Sequence, residues 1–580
     1  MLKKNGCGEN AWGIMKKKLP LGISDFKEII TGNYAYVDKT LLIKELVEGG
    51  IKVTLIPRPR RFGKTINLSM LKYFFEKPID SSKQSQSHLF DGLAIASHPE
   101  IMEHQGKYPV IFMTFKDVKQ ASWHECLADI KRIIGKEFER HSYLLASPML
   151  SPNQKLEYQE IIALRAPKTS YRNALKDLSE YLAAFHGAKT IILLDEYDLV
   201  IQEAYLRDSH ALYDHAITFM RTFLGGGLKD NTALQQGIIT GILRIAKESI
   251  FSGLNNLKVC SLVSDAYADK FGLLEHEVAD LLKEFGLAGQ ADNIRRWYNG
   301  YRSGKHHIYN PWSIITCIEN KGKFGAYWVN TSQDGLIKKL IQLSGSTVKE
   351  DFELLVAGKT ITSPLAENIV FQALESDSTA LWNFLLFTGY LTFTRVWNEQ
   401  DLPYVELAIP NAEINSLYRT VMTTWFTQIF EIAKYQRMLQ NLVQGNMLEF
   451  RERFTDFVGK TLSSFDVGGT EPEKFYHALV LGMLVSLENT HEIKSNRESG
   501  FGRYDVMLIP KDSNLPGIII EFKKVSTLRK ETLETAAQAA LAQIAEKNYA
   551  AELHTRGITH SIPLAIVFQG RDVLVREGPC

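Results

Sequence analysis

Short apolar runs alternate with amphipathic segments through the first half of the chain, a pattern that predicts parallel strands joined by helices. Isoleucine, leucine and valine fill these runs almost without interruption, as expected of strands that are covered on both faces. We therefore expect them to be members of one parallel sheet. The runs are residues 51–56 (IKVTLI), 109–115 (PVIFMTF), 189–195 (KTIILLD) and 236–240 (QGIIT).

The first run is followed by RPRRFGKT at 58–65 and then by the amphipathic segment NLSMLKYFFE. This order of strand, phosphate-type loop and helix predicts a nucleotide site. Gly63 lets backbone amides approach an anion, Lys64 reaches the terminal phosphates, and Thr65 ligates Mg²⁺. A GK[ST] match alone is weak, and Arg58 stands where the usual first glycine would be. A structural turn is the alternative for Lys64 and Thr65.

The third run ends in Asp195 and Glu196, an order that matches a Walker B segment. Asp195 would hold Mg²⁺ through water and Glu196 would polarise the attacking water; a helix cap is the structural alternative. The fourth run resembles a sensor strand, with Thr240 at its tip and Arg244 one turn later as a candidate arginine finger. A surface ion pair would explain Arg244 equally well.

The loop at 58–65 is also basic, because it carries Arg58, Arg60 and Arg61. These arginines either contact nucleotide phosphate or nucleic acid, or they form a solvated basic loop. We include Arg61 among the candidate nucleotide-binding residues.

A second chemical pattern lies near the C-terminus, where Gly517–Phe522 (GIIIEF) reads as a buried strand with a carboxylate in its interior. Residues two apart in a strand share a face, so Glu521 and Lys523 point the same way. A turn at 512–517 folds Asp505 back as the preceding hairpin strand. Two carboxylates and an ammonium are therefore predicted to converge on one side of a sheet.

This convergence predicts a metal site, because Mg²⁺ prefers oxygen ligands and keeps several waters. Asp505, Glu521 and the carbonyl of Phe522 would hold the ion, and Lys523 would orient the attacking water. A structural ion pair at a sheet edge is the alternative, since short D…ExK patterns are common.

Composition limits the remaining classes of protein. The net charge of +1, from 67 basic and 66 acidic residues, means that a nucleic-acid surface must be a local patch. The five cysteines lack CxxC spacing, which excludes a zinc ribbon and indicates reduced thiols. No apolar stretch is long enough to span a membrane, and the first residues lack the apolar core of a signal peptide. We expect a cytoplasmic protein that does not insert into membranes.

The motifs together resemble a known combination of domains. YVDKT at 36–40, RPRRFGKT, LLDEYD, TGILRIAKESIFSGLNN and WYNGYRSG at 297–304 resemble the AAA-ATPase-like domain that is found fused to a nuclease. The degenerate phosphate loop is that family's own form. The C-terminal pattern resembles the PD-(D/E)XK nuclease superfamily over roughly residues 465 to 575, in the order helix, hairpin, strand, helix, strand.

The nuclease resemblance implies further site residues. Glu473, in the helix EKFYHALVLGMLVSL, matches the acid of the family's first helix, and Glu498 resembles its second acidic position. Each is a candidate metal ligand, and a solvated carboxylate at an element end is the alternative for each. Gln543 and Tyr549 match the glutamine and tyrosine that follow the catalytic hairpin in the family.

We expect an α/β multidomain protein: a P-loop ATPase of the ASCE type with a helical lid and a winged-helix-like middle, plus a PD-(D/E)XK nuclease-like α/β domain.

The expected cofactors are ATP and Mg²⁺, with Mn²⁺ as a substitute, and the expected partner is nucleic acid, with DNA favoured over RNA. The resemblance suggests a role in defence or mobile-element DNA processing and leaves homo-oligomerisation open. One alternative is an ATP-dependent signalling switch whose nuclease-like domain only binds nucleic acid or protein. Another is a nuclease that is regulated by a partner and for which ATP is only a structural ligand. The predicted segments are 1–265 (ATPase), 266–360 (lid), 361–431 (winged-helix-like), 432–468 (helical linker) and 469–580 (nuclease-like).

Overall fold

The computed structural model divides the chain into two compact units. The first comprises Met1–Tyr327 with Glu367–Val370, and the second comprises Trp328–Ala366 with Phe371–Cys580. Among the described residues, no helix combines the length and apolar character that a bilayer crossing requires. The described residues are 17–78, 86–207, 210–245, 255–329, 346–356, 358–374, 376–429, 431–464, 480, 483–484, 487, 490–499, 502–525, 531–569 and 572–579.

The first unit is built around a five-stranded parallel sheet in the order β2-β3-β4-β1-β6. All four predicted runs form strands of this sheet, and β1 and β3 are buried along their whole length. Because β4 lies between β1 and β3, the residues that follow these three strands meet at one edge of the sheet. The strands are β1 (Val53–Pro57), β2 (Val110–Thr114), β3 (Thr190–Asp195), β4 (Leu234–Gly241) and β6 (Leu257–Val259).

Helices accompany this sheet, as expected when both faces of a parallel sheet need apolar cover. The side chains of α2 and α3 form a core cluster with residues of β1 and β3. The nine helices described in this part of the chain are α1 (Phe26–Thr31), α2 (Leu41–Gly49), α3 (Lys64–Phe75), α4 (Pro99–Met102), α5 (Trp123–Arg140), α6 (Pro152–Ile162), α7 (Lys168–His186), α8 (Leu199–Leu206) and α9 (His210–Leu228).

The segment predicted as a helical lid contains a short hairpin as well as helices. Strand β7 pairs antiparallel with β8, and the flanking helices pack their apolar faces into a second cluster around Tyr298 and Ile314. A short strand β5 pairs with β10 within the same unit. The elements are α10 (Glu275–Glu284), α11 (Ala291–Tyr298), β7 (Tyr301–Ser303), β8 (His306–Ile308), α12 (Pro311–Glu319), β5 (Arg244–Ile245) and β10 (Asn368–Ile369).

The second unit begins with helices and a three-stranded antiparallel sheet in the order β11-β12-β9. Within the segment predicted as winged-helix-like, a helix, a hairpin and a second helix follow one another, and β9 adds a third strand to the hairpin. Two further helices follow. The elements are α13 (Ser346–Val356), β9 (Ile361–Pro364), α14 (Ser378–Thr388), β11 (Thr392–Glu399), β12 (Leu402–Ala408), α15 (Ala412–Ile429), α16 (Ile432–Val443) and α17 (Met447–Ser464).

The C-terminal part of the second unit is a mixed sheet in the order β13-β14-β15-β16-β17. The β14–β15 hairpin is the predicted one, and β15 runs parallel to β16 because two helices cross between them. Strand β15 is buried from Gly517 to Phe522, in agreement with its apolar pattern. The elements are β13 (His491–Ser499), β14 (Gly502–Pro510), β15 (Gly517–Lys524), α18 (Leu533–Glu546), α19 (Ala551–Thr555), β16 (Ser561–Gln569) and β17 (Asp572–Glu577).

Candidate functional sites

The phosphate-type loop ends at Gly63, whose φ of 88° places it in the left-handed region that glycine adopts readily. Helix α3 begins at the next residue, Lys64, so the loop leads directly into a helix N-terminus. The buried Lys64 Nζ donates to the carbonyl oxygens of Arg58 (3.0 Å) and Pro59 (3.1 Å). It also lies 3.1 Å from Glu196 Oε1. The ammonium is therefore held inside the loop, against its carbonyls and one carboxylate.

The carboxylate of Asp195 is fully buried at the end of β3 and is held by three threonine hydroxyls. Thr65 Oγ1 donates to Oδ2 at 2.7 Å, Thr114 Oγ1 donates to the same oxygen at 3.2 Å, and Thr240 Oγ1 donates to Oδ1 at 2.7 Å. Burial, and then the neighbouring Glu196, raise the pKa of Asp195, while the hydroxyls lower it. The predicted neighbours Thr65 and Thr240 are thus brought to Asp195. Thr114 was missed, although it ends the predicted strand β2, which pairs with β3.

Glu196 has an unusual backbone conformation for a residue with a side chain, with φ of 53°. Left-handed backbone costs a non-glycine residue about 1–2 kcal/mol, so the surroundings must impose it. Its Oε2 atom is buried and has no hydrogen-bond partner among the described residues. A buried carboxylate oxygen without a donor suits a water molecule or another ligand, and it lies beside Lys64.

Arg58 takes neither of the two roles predicted for the basic loop. Its side chain is fully buried, and Nη1 donates to the carbonyl oxygens of Pro57 (2.8 Å) and Cys260 (2.7 Å). The guanidinium lies 5.3 Å from the ring centroid of Phe271, and burial lowers the pKa of Arg58 to about 10. Arg58, which replaces the first glycine, therefore has a structural role: its side chain links the end of β1 to the segment after β6.

Arg61 and Arg244 are held by different elements. Arg61 has a φ of 66°, and its guanidinium stacks 3.6 Å from the ring centroid of Trp312, at the start of α12. Arg244 is part of β5 and pairs with Asn368 of β10. The described hydrogen bonds join neither side chain to the cluster of Lys64 and Asp195.

A mostly apolar cleft adjoins the phosphate-type loop. Phe62, Gly63 and Ile66 form one wall, so the cleft opens directly beside the loop. The remaining walls come from the segments at 19–39 and 270–281 and from α12.

In the C-terminal sheet, Asp505 and Glu521 lie on neighbouring strands, as predicted. Asp505 Oδ2 accepts a hydrogen bond from the backbone N–H of Phe522 at 2.8 Å, so a side chain ties β14 to β15 beyond their last backbone pair. Lys523 Nζ lies 3.5 Å from Glu521 Oε1, which confirms that these two residues share a face. The three predicted residues are therefore brought together.

Gln543 of α18 completes this cluster. Its Nε2 donates to Glu521 Oε1 and, at 3.2 Å, to the hydroxyl of Tyr549, while its Oε1 accepts from Lys523 Nζ at 2.8 Å. The other oxygen of Glu521, Oε2, is buried without a hydrogen-bond partner among the described residues. Burial, and then Asp505, raise the pKa of Glu521 to about 7. A cation beside Glu521 and Asp505 would relieve both effects, so this donor pair fits a divalent metal.

Glu473 and Glu498 are the two further acids predicted as metal ligands, and the structure describes neither side chain. Glu473 lies outside the described residues. Glu498 belongs to β13, opposite Arg503 of β14, and only its backbone position is described. Across the described ranges, no group of three or more His, Cys, Asp or Glu side chains is arranged to hold a metal.

Comparison with known proteins identifies the two parts of the chain. Residues 20–251 match the family model described as "Predicted AAA-ATPase", and residues 471–578 match that of the PD-(D/E)XK nuclease superfamily. The chain therefore combines an AAA-ATPase-like domain with a C-terminal domain of the PD-(D/E)XK nuclease superfamily, which confirms the predicted resemblance. Domains of these two kinds are associated with nucleotide and divalent-metal use, and with ATPase and nuclease chemistry.

A relative of similar length comes from Azotobacter chroococcum mcd 1 and is described as "Uncharacterized protein in vnfD 5'region". It is 26% identical over 557 residues, which cover 93% of this chain and 95% of the relative. The similarity therefore spans both domains and the segment between them.

Proposed function

We propose that the protein binds and hydrolyses ATP in its first unit and cleaves nucleic acid in its C-terminal domain, with nucleotide state controlling cleavage. The main support is the cluster of Asp505, Glu521, Lys523 and Gln543, because it contains a buried carboxylate oxygen to which no described residue donates. The corresponding cluster of Lys64, Asp195 and Glu196 in the first unit supports the nucleotide site.

At the nucleotide site, the amides from Gly63 into α3 and the ammonium of Lys64 would hold the phosphates. Thr65 and Asp195 would hold Mg²⁺, and bound Mg²⁺-ATP supplies the phosphoanhydride to be cleaved. Glu196 would orient the attacking water and accept its proton through Oε2. Thr240, Arg61 and Arg244 are proposed to contact or sense the phosphates. The position of β4 between β1 and β3 supports an ASCE-type assignment.

The apolar cleft beside Phe62 and Gly63 is proposed to hold the nucleoside end of ATP. Its position supports this role, since a ligand whose phosphates lie on the Gly63–Thr65 backbone places its other end near the cleft. Binding clefts of this kind combine apolar walls with a few polar groups.

At the nuclease-like site, Asp505 and Glu521 would hold Mg²⁺, with Glu498 and Glu473 as additional proposed ligands. The ion supplies a Lewis acid for the scissile phosphate. Lys523 would orient the attacking water, and Gln543 would hold Glu521 and Lys523 at a fixed separation through its two hydrogen bonds. DNA is proposed as the substrate in preference to RNA, in defence or mobile-element processing.

One observation favours a second candidate function. Glu521, Lys523 and Gln543 contact one another directly, so the lysine already has partners without a ligand. A domain of this kind could act only as a binding module for nucleic acid or protein, controlled by an ATP-dependent switch. The segments 266–360 as lid, 361–431 as winged-helix-like module and 432–468 as linker belong to both proposals.

The test is an incubation of purified full-length protein with labelled single- and double-stranded DNA and RNA, with Mg²⁺ or Mn²⁺, and with and without ATP. Phosphate release is measured in the same tubes. The proposal expects metal-dependent cleavage that changes with ATP and is lost in Asp505→Ala. Nucleic-acid binding without cleavage under every condition would favour the binding-module alternative.

A further inference from the structure

The 241–245 turn, which runs from the last residue of β4 to the end of β5, is held by two consecutive side chains that follow Glu196. The first is Tyr197, which is fully buried. Its hydroxyl donates to the carbonyl oxygen of Leu243 at 2.8 Å and accepts from the N–H of Ile245 at 3.3 Å. Its own backbone N–H donates to the carbonyl oxygen of Thr240 at 3.2 Å. Tyr197 thus contacts the turn at its beginning and at its end.

The second side chain is Asp198, which is also fully buried. Its Oδ2 accepts from the backbone N–H groups of Ile242 (2.9 Å) and Leu243 (2.8 Å) and from Gln202 Nε2 (2.6 Å). A carboxylate with several donors orients the backbone that supplies them. The packing is close, since a Cβ atom added to Gly241 would lie 2.4 Å from Asp198 Oδ1.

Glu196 is the single residue between this pair and Asp195, whose carboxylate is held by three threonines. Both of its chain neighbours are therefore immobilised. This arrangement accounts for the left-handed backbone of Glu196, which a free turn would avoid. The same turn is bonded to the phosphate-type loop, because Arg58 N donates to the carbonyl oxygen of Gly241 at 3.0 Å.

We infer that Tyr197 and Asp198 are positioning residues for Glu196: by binding the 241–245 turn, they hold the Glu196 carboxylate beside Lys64. Neither side chain needs to contact nucleotide for this role. The inference rests on the proposed ATP hydrolysis and adds two residues to its machinery. It also makes the turn a physical link between the sensor strand β4 and the residue that activates water.

The test compares Tyr197→Phe with Tyr158→Phe in the full-length protein. Tyr158 is a matched control, because it is a buried tyrosine of the same unit whose hydroxyl also makes two backbone hydrogen bonds, to Phe138 and His141. The readouts are kcat for phosphate release and the dissociation constant for ATP. Tyr197→Phe is expected to lower kcat by about 10- to 100-fold, since a small misplacement of a catalytic group can cost about 100-fold. Its ATP affinity should stay within about twofold of wild type.

A double-mutant cycle distinguishes positioning from general loss of stability. In the Glu196→Gln background, measured by single-turnover phosphate release, Tyr197→Phe should add less than about a twofold further loss, because the group it positions is already disabled. Asp198→Asn keeps an oxygen for the turn amides and should retain more turnover than Asp198→Ala.

Three outcomes overturn the inference. They are a normal kcat in Tyr197→Phe, an equal loss in Tyr158→Phe, and a full multiplicative loss in the Glu196→Gln background. If wild-type protein releases no phosphate, the proposed ATP hydrolysis itself fails, and that result is recognised without any variant.

Discussion

The two sites use similar residues, two acids and a lysine, but they differ in how much of their polar surface is already bonded. In the first unit, Lys64 is 2% exposed and its ammonium contacts two carbonyls and Glu196. In the C-terminal domain, the Lys523 side chain is 34% exposed. A ligand must therefore displace internal contacts of the buried Lys64, whereas Lys523 contacts Gln543 and Glu521 and still faces solvent.

The acids differ in the same sense. The Asp195 carboxylate accepts hydrogen bonds from three threonine hydroxyls, and these bonds offset the free-energy cost of burying it. Glu521 is equally inaccessible, but only one of its oxygens is bonded among the described residues. Identical residue types therefore make two kinds of site. In the closed site, the aspartate and the lysine are bonded internally and a ligand must displace those bonds, although Glu196 Oε2 has no partner among the described residues. In the strained site, a cation would relieve the burial of Glu521 beside Asp505.

The largest expected effect is at the strained site. Asp505→Ala or Glu521→Ala should reduce nucleic-acid cleavage by at least about 1,000-fold and abolish metal binding, because each removes a proposed oxygen ligand. Lys523→Ala should lose cleavage with metal still bound. Lys524→Ala is the matched control, since Lys524 is the next residue on the same strand and faces the other way. Cleavage that persists in Asp505→Ala, or in excess EDTA, would place the activity elsewhere.

At the closed site, Glu196→Gln should lower ATP hydrolysis by about 100- to 10,000-fold, the usual contribution of a general base, and leave ATP binding intact. Calorimetric ATP binding and phosphate release measure the two effects separately. Glu160→Gln, near the C-terminal end of α6, where the carboxylate pairs with Arg165 and not with this cluster, serves as the control. Normal turnover in Glu196→Gln would show that another residue accepts the proton.

Glu521 should make metal-free protein less stable as pH rises. Its folded pKa of about 7 lies above the usual value near 4.5, so the folded state holds its proton more tightly than the unfolded state. Stability should fall between about pH 4.5 and pH 7 and then level off, by up to about 3 kcal/mol. Denaturant unfolding in EDTA should find Glu521→Gln more stable than wild type at pH 8 and equal to it near pH 4. If the stability difference between Glu521→Gln and wild type stayed constant from pH 4 to pH 8, the Glu521 carboxylate would not be strained by its burial.

Lys64→Ala should remove the stabilisation that ATP gives the first unit. Ligand binding to the folded state is worth about 2.7 kcal/mol at a hundredfold excess over the dissociation constant. Wild type and Lys72→Ala, a control in the same helix, should therefore show a higher Tm with ATP, and Lys64→Ala should not. Equal shifts in all three proteins would exclude Lys64 from the nucleotide site.

The smallest effect tests how completely Asp195 is bonded. Thr114→Val removes one of its three hydroxyl donors with little change in shape, and should lower the free energy of unfolding by about 1–2 kcal/mol. Chemical denaturation with and without ATP measures it. A neutral result would mean that the other two hydroxyls suffice.

The local patterns of the sequence predicted β1 to β4, the β14–β15 hairpin, the position of the phosphate-type loop and the convergence of Asp505, Glu521 and Lys523, whereas β6 and β13 were not predicted. These features depend on burial, on the period of two in a strand and on short turns, all of which act between residues close in the chain. The same reasoning failed for Arg58, because its partner at Cys260 is 202 residues away.

Local patterns were therefore enough to identify the acids and lysines of the two candidate sites, because the acids and Lys523 lie in or directly after a recognisable strand and Lys64 follows the phosphate-type loop at the start of a helix. The hydrogen-bond partners of these side chains depend on contacts between distant parts of the chain. Thr114 reaches Asp195 because β2 pairs with β3 in that register, and Tyr197 reaches the 241–245 turn because β4 lies beside β3. Strand order and register are set by packing over the whole sheet, so no local stretch of sequence records these contacts.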